Sequence, residues 1–128
     1  MVKVNVEPDC GNSPKKLFLR DFMIAVANSD TSFILDSVTD DATWDVVGNQ
    51  TVKGKSAIEN LLKDLLSHSA KEMTLTTILS HGNGGSVNGT TWFTDGTGEG
   101  FCHVGLFTSH GKNAKLKEIT SYIISEQR

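Results

Sequence analysis

The sequence predicts an α+β domain in which three helices pack on one face of a mostly antiparallel sheet. Apolar residues recur at helical spacing through the first half of the chain. From Met73 onward the chain is instead rich in threonine and branched apolar residues, and glycine-rich turns interrupt it. Helices followed by a run of strands are typical of the α+β class.

Length and composition restrict the class of protein further. The 128 residues are 38% hydrophobic and 21% charged, which suits one globular domain with its own core. A net charge of -3 disfavours a nucleic-acid-binding protein, because phosphate neutralisation needs clustered lysine and arginine. No apolar run is long enough for a membrane span or a signal peptide, so we expect a cytoplasmic protein that binds no membrane. We expect a loose segment over residues 1–12 and a single domain over residues 13–128.

Two helices are predicted before the first long strand. Ser13 followed by Pro14 is typical of an N-cap with proline in the first turn, and apolar spacing continues to about Asn28. A second, shorter helix follows, with Ser29 or Asp30 as its N-cap. Its apolar residues are Phe33, Ile34, Leu35 and Val38.

A strand and a third helix come next. The strand covers about residues 42–47 and is closed by Gly48. Ser56 and Glu59 have the spacing of a capping box, so they predict the start of a helix that ends within residues 67–70. Four further strands, joined by short turns and therefore antiparallel, are predicted at residues 73–81, 87–94, 99–109 and 116–125.

The strand around Phe101 to Phe107 is apolar on both faces. A sheet with one solvated face should alternate apolar and polar residues. Three helices can cover only one face, so we expect a second copy of the chain to cover the other. The sequence therefore predicts a homodimer through the outer face of the sheet.

The segment Asp40–Gly48 contains the first candidate functional residue. Asp45 follows Trp44 on a short, otherwise apolar strand. Aspartate is depleted in strands, so Asp45 either reaches solvent or lies in a polar pocket.

These residues and the order of the elements resemble the nuclear transport factor 2-like superfamily. The motif Asp40-Asp41-Ala42-Thr43, Gly54 and the helix after it carry the resemblance, which extends from Ser13 to Ser125. It is closest to the ketosteroid isomerase and SnoaL-like polyketide cyclase branches. It implies a cone-shaped fold whose helices lean over a curved sheet and enclose a cavity. The same fold hosts enzymes and non-enzymatic domains.

The ketosteroid isomerase branch uses three functional residues, and the resemblance assigns a position to each. An aspartate base corresponds to Asp45 when counted back from Gly48, and to a neighbouring position when counted forward from Asp40. The tyrosine that stabilises the enolate oxygen corresponds to Phe22, which cannot donate a hydrogen bond. The protonated aspartate beside it corresponds to His103, which can. Steroid isomerisation by the same residue set is therefore not expected.

We predict Asp45 and His103 as the catalytic pair, with the carboxylate as base and the imidazole polarising an oxygen. Alternatively, Asp45 faces solvent and His103 is a satisfied polar group of the core. The predicted ligand-binding residues, each of which could instead be ordinary core, are Phe22, Trp44, Leu62, Trp92, Phe101, Phe107 and Ile119.

The sequence predicts neither a metal nor a cofactor. Cys10 and Cys102 lack metal-ligand spacing and are expected to be free thiols, and the histidines lack the spacing of a zinc site. The glycine-rich turns lack the strand-then-helix context of phosphate loops.

Three functions remain open at this point. The first is binding of a small hydrophobic molecule, with proton-transfer chemistry such as isomerisation, cyclisation or dehydration on a carbonyl-type substrate. The second is ligand binding without catalysis. The third is a dimerising interaction domain whose cavity is filled by its own side chains.

Overall fold

The computed structural model describes residues 2–7, 13–109 and 114–127. Its helices are α1 (Pro14–Ala27), α2 (Thr31–Asp36) and α3 (Lys55–Leu65). Its strands are β1 (Lys3–Val6), β2 (Val38–Val46), β3 (Gln50–Lys53), β4 (Ala70–His81), β5 (Gly84–Phe93), β6 (Thr97–Phe107) and β7 (Leu116–Gln127).

The strands form one curved, open sheet in the order β1-β4-β5-β6-β7-β2-β3. The pairs β4/β5, β5/β6, β6/β7 and β2/β3 are antiparallel, whereas β1/β4 and β2/β7 are parallel. Register shifts interrupt β2, β4 and the end of β6, and such bulges bend and twist strands. Helices packed on this sheet confirm the predicted α+β class.

The order of helices and strands differs from the prediction. Two strands were not predicted: β1 comes before α1, and β3 follows the predicted strand β2 before α3. The expected loose segment is wrong for Lys3–Val6, which pairs in parallel with β4. This pairing connects residues about seventy positions apart, so a four-residue strand leaves no local signal of it. Cys10 and the predicted turn at residues 110–113 lie outside the described residues.

The first helix begins as predicted, and the second is shorter than predicted. Ser13 is the N-cap of α1, and its side chain accepts a hydrogen bond from the Lys16 amide at 3.3 Å. The Ser37 hydroxyl donates to the Phe33 carbonyl at 2.7 Å where α2 ends. Val38 is therefore not helical: it is fully buried, begins β2 and pairs with Leu116.

The predicted capping box of α3 is wrong. The N-cap is Gly54, whose φ of +92° lies in a region that disfavours residues with a β carbon, and Ser56 lies inside the helix. The Gly54 amide donates to the Ala42 carbonyl at 2.8 Å, which holds the start of α3 beside β2. The glycine thus turns the chain directly from β3 into the helix.

The two faces of the sheet differ in burial. The inner face packs against the helices and supplies most of the core, including Met73, Leu75 and Phe101. The opposite, outer face of the sheet exposes several large apolar side chains, namely Leu79, Val104, Leu106, Tyr122 and Ile124. Among the described residues, no helix has the length and apolarity that a membrane span would need.

Candidate functional site

A cavity of about 630 Å³ lies between the helices and the inner face of the sheet. Side chains of α1, α3 and the curved sheet form its wall, which is mostly apolar with a few polar groups. This volume and composition are typical of a small-molecule site. The apolar wall includes Phe22, Met23, Trp44, Leu62, Met73 and Phe101.

Strand β6 brings two titratable side chains to this cavity. Alternate residues of a strand point to the same face, so Glu99, Phe101 and His103 all face inward. The register places Glu99 between Thr91 of β5 and Ser125 of β7, both of which also line the cavity. His103 lies four residues further along the strand.

His103 is held by a chain of two hydrogen bonds. The indole Nε1–H of Trp44 donates to the Ser121 Oγ at 2.8 Å. The same Oγ lies 2.6 Å from the Nδ1 of His103. Ser121 has no solvent exposure, so water cannot replace either bond. The Phe101 ring stacks on the imidazole with centroids 5.1 Å apart.

This chain assigns the protons of the imidazole. Because Trp44 only donates, the Ser121 oxygen accepts from it, and we assign the serine hydroxyl proton to the bond with Nδ1 of His103. With this assignment the neutral ring carries its proton on Nε2. Burial lowers the pKa of His103 to about 4, so the ring is neutral at neutral pH. The Nε2–H forms no hydrogen bond within the described part of the chain and is available to the cavity.

Glu99 has a different environment. Its half-buried carboxylate lines the cavity, and burial raises its pKa while the nearby His68 lowers it. No hydrogen bond or ion pair to Glu99 is formed within residues 2–7, 13–109 and 114–127. Glu99 lines the cavity together with His68, Phe93 and Thr97, and we call this part of the wall the mouth. The inner end is formed by Trp44, Ser121 and His103.

The mouth and the inner end are well separated. Glu99 and His103 are four residues apart on one strand, which corresponds to about 13 Å between their Cα atoms. The Phe101 side chain occupies the same face between them. The cavity therefore offers a hydrogen-bond donor at one end, a carboxylate at the other, and an apolar surface in between.

Five of the predicted site residues line the cavity: Phe22, Trp44, Leu62, Phe101 and His103. Their contact with a ligand stays a prediction. The other predicted ligand-binding residues lie elsewhere.

Trp92, Phe107 and Ile119 are not in the cavity wall. Trp92 lies on the outer face, where its ring covers Gly98 of the neighbouring strand. Phe107 is buried under α1, with its ring edge-to-face against Phe18 at 5.2 Å. Ile119 is buried in the core between β2 and β6. Strand alternation and the position of α1 determine what each side chain contacts. Trp92 is therefore an outer-face residue, whereas Phe107 and Ile119 are core residues.

The structure contradicts the prediction of Asp45 as a base in the cavity. Trp44 and Val46 are buried on the inner side of β2, so Asp45 between them points to the other side. Its carboxylate accepts a hydrogen bond from the Thr51 Oγ1 of β3 at 3.0 Å. Asp45 is therefore absent from the cavity wall.

Glu99 and Ser121 were not predicted as site residues. Glu99 lies four positions before His103 on a predicted strand, so alternation could have placed both on one face. Ser121 gave no comparable signal, because it is one of two serines among the mixed polar and apolar residues of β7. Cys102 is a half-buried free thiol that points away from the cavity, next in sequence to His103. No group of metal-ligating side chains occurs among the residues that the structure describes.

No protein-family model matches this sequence, and no curated protein matches it. Solved structures do. A nuclear transport factor 2-like protein of unknown function from Cytophaga hutchinsonii has a TM-score of 0.63 and 21% identity, over 82% of this chain and 95% of its own. Another such protein of unknown function, from Burkholderia xenovorans, has a TM-score of 0.71 and 18% identity, over 86% of this chain and 82% of its own.

A third similar structure comes from Kribbella flavida and is provisionally named a ketosteroid isomerase. Its TM-score is 0.73 and its identity 9%, over 90% of this chain and 81% of its own. At these identities the likeness concerns the fold and carries no function with it. The chain thus has the fold of the nuclear transport factor 2-like superfamily, as the resemblance of its sequence implied.

Proposed function

We propose that this protein binds a small hydrophobic molecule in the cavity, and that the Nε2–H of His103 donates a hydrogen bond to an oxygen of that molecule. The observation that carries this proposal is the hydrogen-bonded chain from Trp44 through Ser121 to His103. It occupies Nδ1 and leaves a donor facing an apolar cavity. A ligand carbonyl oxygen could accept from this donor, and a hydrogen bond in this largely apolar cavity would favour binding.

The geometry supports binding better than proton transfer. The predicted base, Asp45, lies on the other side of its strand. Glu99 could take up a proton, because burial raises its pKa. However, it lies about 13 Å along the strand from His103. The oxygen of a carbonyl group and its acidic carbon are close together. Glu99 and His103 therefore cannot both act on one carbonyl group without a large movement of Glu99.

Catalysis by Glu99 on an extended, conjugated substrate is the second candidate function. The half-buried carboxylate in the cavity wall favours it. The provisional name of the Kribbella flavida protein is in keeping with it. An interaction domain filled by its own side chains is less well supported, because a cavity of about 630 Å³ lies beneath the helices.

The test of the binding proposal compares a fused-ring ketone with the alkane of the same ring skeleton. Trp44 in the cavity wall provides a fluorescence signal for the titration. The ketone should bind wild type about tenfold more tightly than the alkane, as expected for one buried hydrogen bond. His103→Phe should remove this preference. The proposal is wrong if neither molecule binds, or if the preference persists in the variant.

We also propose that two copies of the chain associate through the outer face of the sheet. Exposed apolar side chains on β4, β6 and β7 form one surface there, and Ile124 alone keeps 71% of its area exposed. Light scattering should give the mass of a dimer for wild type and of a monomer for Ile124→Asp. Ser56→Asp, an exposed site on α3, is the control and should stay dimeric. A monomeric wild type would contradict the proposal.

The cytoplasmic location stays a prediction of the sequence.

A further inference from the structure

The mouth of the cavity contains a carboxylate without a matching cation. Glu99 is half-buried there, and the described residues of the cavity wall include no lysine or arginine. The charged neighbour that acts on Glu99 is His68, whose Nδ1 lies 3.4 Å from the Asp95 carboxylate. Asp95 in turn accepts two hydrogen bonds from Thr97. Even a protonated His68 is therefore already matched by an aspartate.

The charge at the mouth is negative under either protonation state of His68. Asp64, at the end of α3, and Glu126, on β7, also line the cavity, so the described part of its wall adds further negative charge and no lysine or arginine. An anionic ligand group would be repelled at this position, whereas a cationic group would be attracted. The mouth also has an aromatic wall: the Phe93 ring lines it, with its centroid 5.6 Å from that of His68. Aromatic rings beside a carboxylate favour ammonium groups.

We infer that the cavity takes an elongated, largely apolar amine, whose ammonium group lies against Glu99 at the mouth and whose far end presents an oxygen to His103. This inference rests on the proposed function, because it uses the donor at the inner end as the second anchor. The separation of about 13 Å along β6 sets the length of the molecule. The Phe101 and Ile123 side chains, which are paired across β6 and β7, contact its apolar middle.

The two ends would act on the ligand in different ways. The inner end selects a hydrogen-bond acceptor, because its imidazole is neutral and its free nitrogen carries a proton. The mouth selects charge, because Glu99 lacks a partner and its ionised form is stabilised by a cation. A molecule with a carboxylate or phosphate at that end would bring two like charges together in a partly desolvated place.

Calorimetric titrations at neutral pH with three linear probes of equal carbon chain length test this inference. Each probe has a methyl ketone at one end, and the other end is an amine, a hydroxyl or a carboxylate. Wild type should bind the amino ketone roughly tenfold more tightly than the hydroxy ketone, as expected for one charge-assisted hydrogen bond. The oxo acid should bind most weakly.

Variants of two glutamates complete the experiment. Glu99→Gln should abolish the preference for the amine while the hydroxy ketone binds as before. Glu99→Asp, which keeps the charge, should retain a measurable part of the preference. Glu118→Gln removes an exposed carboxylate from the outer face of β7 and should behave as wild type.

The outcomes separate the inference from the proposed function. If the hydroxy ketone binds but the amine is not preferred, or if Glu99→Gln leaves the preference intact, the inference is overturned and the binding proposal survives. If the oxo acid binds best, the charge of the mouth has been misjudged and the inference is likewise overturned. If none of the three probes binds, the inference is overturned, and the titration with the fused-ring ketone decides the binding proposal.

Discussion

The two ends of the cavity differ in how the protein holds the titratable side chain that β6 places there. At the inner end, His103 is fixed by Ser121 and Trp44 through bonds of 2.6 and 2.8 Å. At the mouth, Glu99 forms no hydrogen bond or ion pair within the described ranges, and the nearby His68 acts on it electrostatically. Burial shifts both groups toward their neutral form, yet of the two only His103 forms a side-chain hydrogen bond within the described residues. The comparison suggests that the inner end is preorganised, whereas the mouth is completed by what binds there.

The largest expected effect concerns the indole that supports the inner end. Trp44→Ala should lower the free energy of unfolding by about 3–5 kcal/mol, because it removes a large buried ring and leaves the Ser121 oxygen without its donor. Trp92→Ala on the outer face should cost clearly less, since that ring is only partly buried. Chemical denaturation measures both. Equal losses would show that the inner end is no more tightly packed than the outer face.

The pH dependence of stability tests the neutral state of His103. In the folded protein the pKa is lowered to about 4, whereas the unfolded value is near 6.5. Between these values the unfolded chain binds the additional proton, so stability falls as the pH falls from about 6.5 to about 4. The loss should reach about 3 kcal/mol. Glu99 acts in the opposite direction, because a raised carboxyl pKa favours the folded state as the pH falls.

His103→Gln isolates the imidazole from this background. Glutamine cannot titrate, so the difference in unfolding free energy between wild type and the variant should narrow steadily as the pH is lowered from 7 to 4. Denaturation curves at several pH values give this difference directly. A pH-independent difference would mean that the imidazole titrates alike in the folded and unfolded chains.

A smaller effect is expected at Ser121. Ser121→Ala should cost about 1–3 kcal/mol, because the Trp44 Nε1–H and the His103 Nδ1 both lose their buried partner. Nitrogen-15 chemical shifts of the imidazole should show the proton on Nε2 in wild type and a mixture of tautomers in the variant. Ser125→Ala, four residues along the same strand and paired with Glu99, is the control and should leave the tautomer unchanged. A wild-type proton on Nδ1 would refute the assigned donor.

The smallest effect on stability is expected at the mouth, where the substitution should stabilise the protein instead of destabilising it. Glu99→Gln should raise the free energy of unfolding at neutral pH by less than about 1 kcal/mol, because it removes a half-buried carboxylate that no cation pairs. The gain should disappear at low pH, where the carboxyl group is protonated in both states. Thermal unfolding at two pH values measures it. Destabilisation at neutral pH would indicate that the protein already stabilises this charge.

Strand β6 illustrates how much of the site local pattern could predict. Alternation from Phe101 to Phe107 indicates a strand apolar on both faces, and it places His103 on the same side as Phe101. The same rule also places Glu99 there. It does not show that this side faces a cavity, because the cavity exists only where α1 and α3 leave space above the sheet.

Asp45 illustrates where local pattern fails. Counting from Gly48 and counting from Asp40 differ by one residue, and one residue on a strand exchanges the inner side for the outer side. The pairing of β2 with both β3 and β7 determines which side chains face inward. Trp44 is buried, and Asp45 accepts a hydrogen bond from Thr51. Such pairing is set by distant parts of the chain.

By itself, the sequence determined the α+β class, the start of α1 at Ser13 and most strands of the second half, because periodicity, capping and turn residues act over a few positions. The superfamily fold followed instead from the resemblance of its motifs to a known family. Only the tertiary structure decided the parallel pairing of β1, the direction of Asp45, and the contact of Trp44 with Ser121, which lie 77 residues apart. The physical reason is the sequence distance over which the interactions act. Hydrophobic spacing is a property of neighbouring residues, whereas strand register and the shape of a cavity arise from the packing of the whole chain.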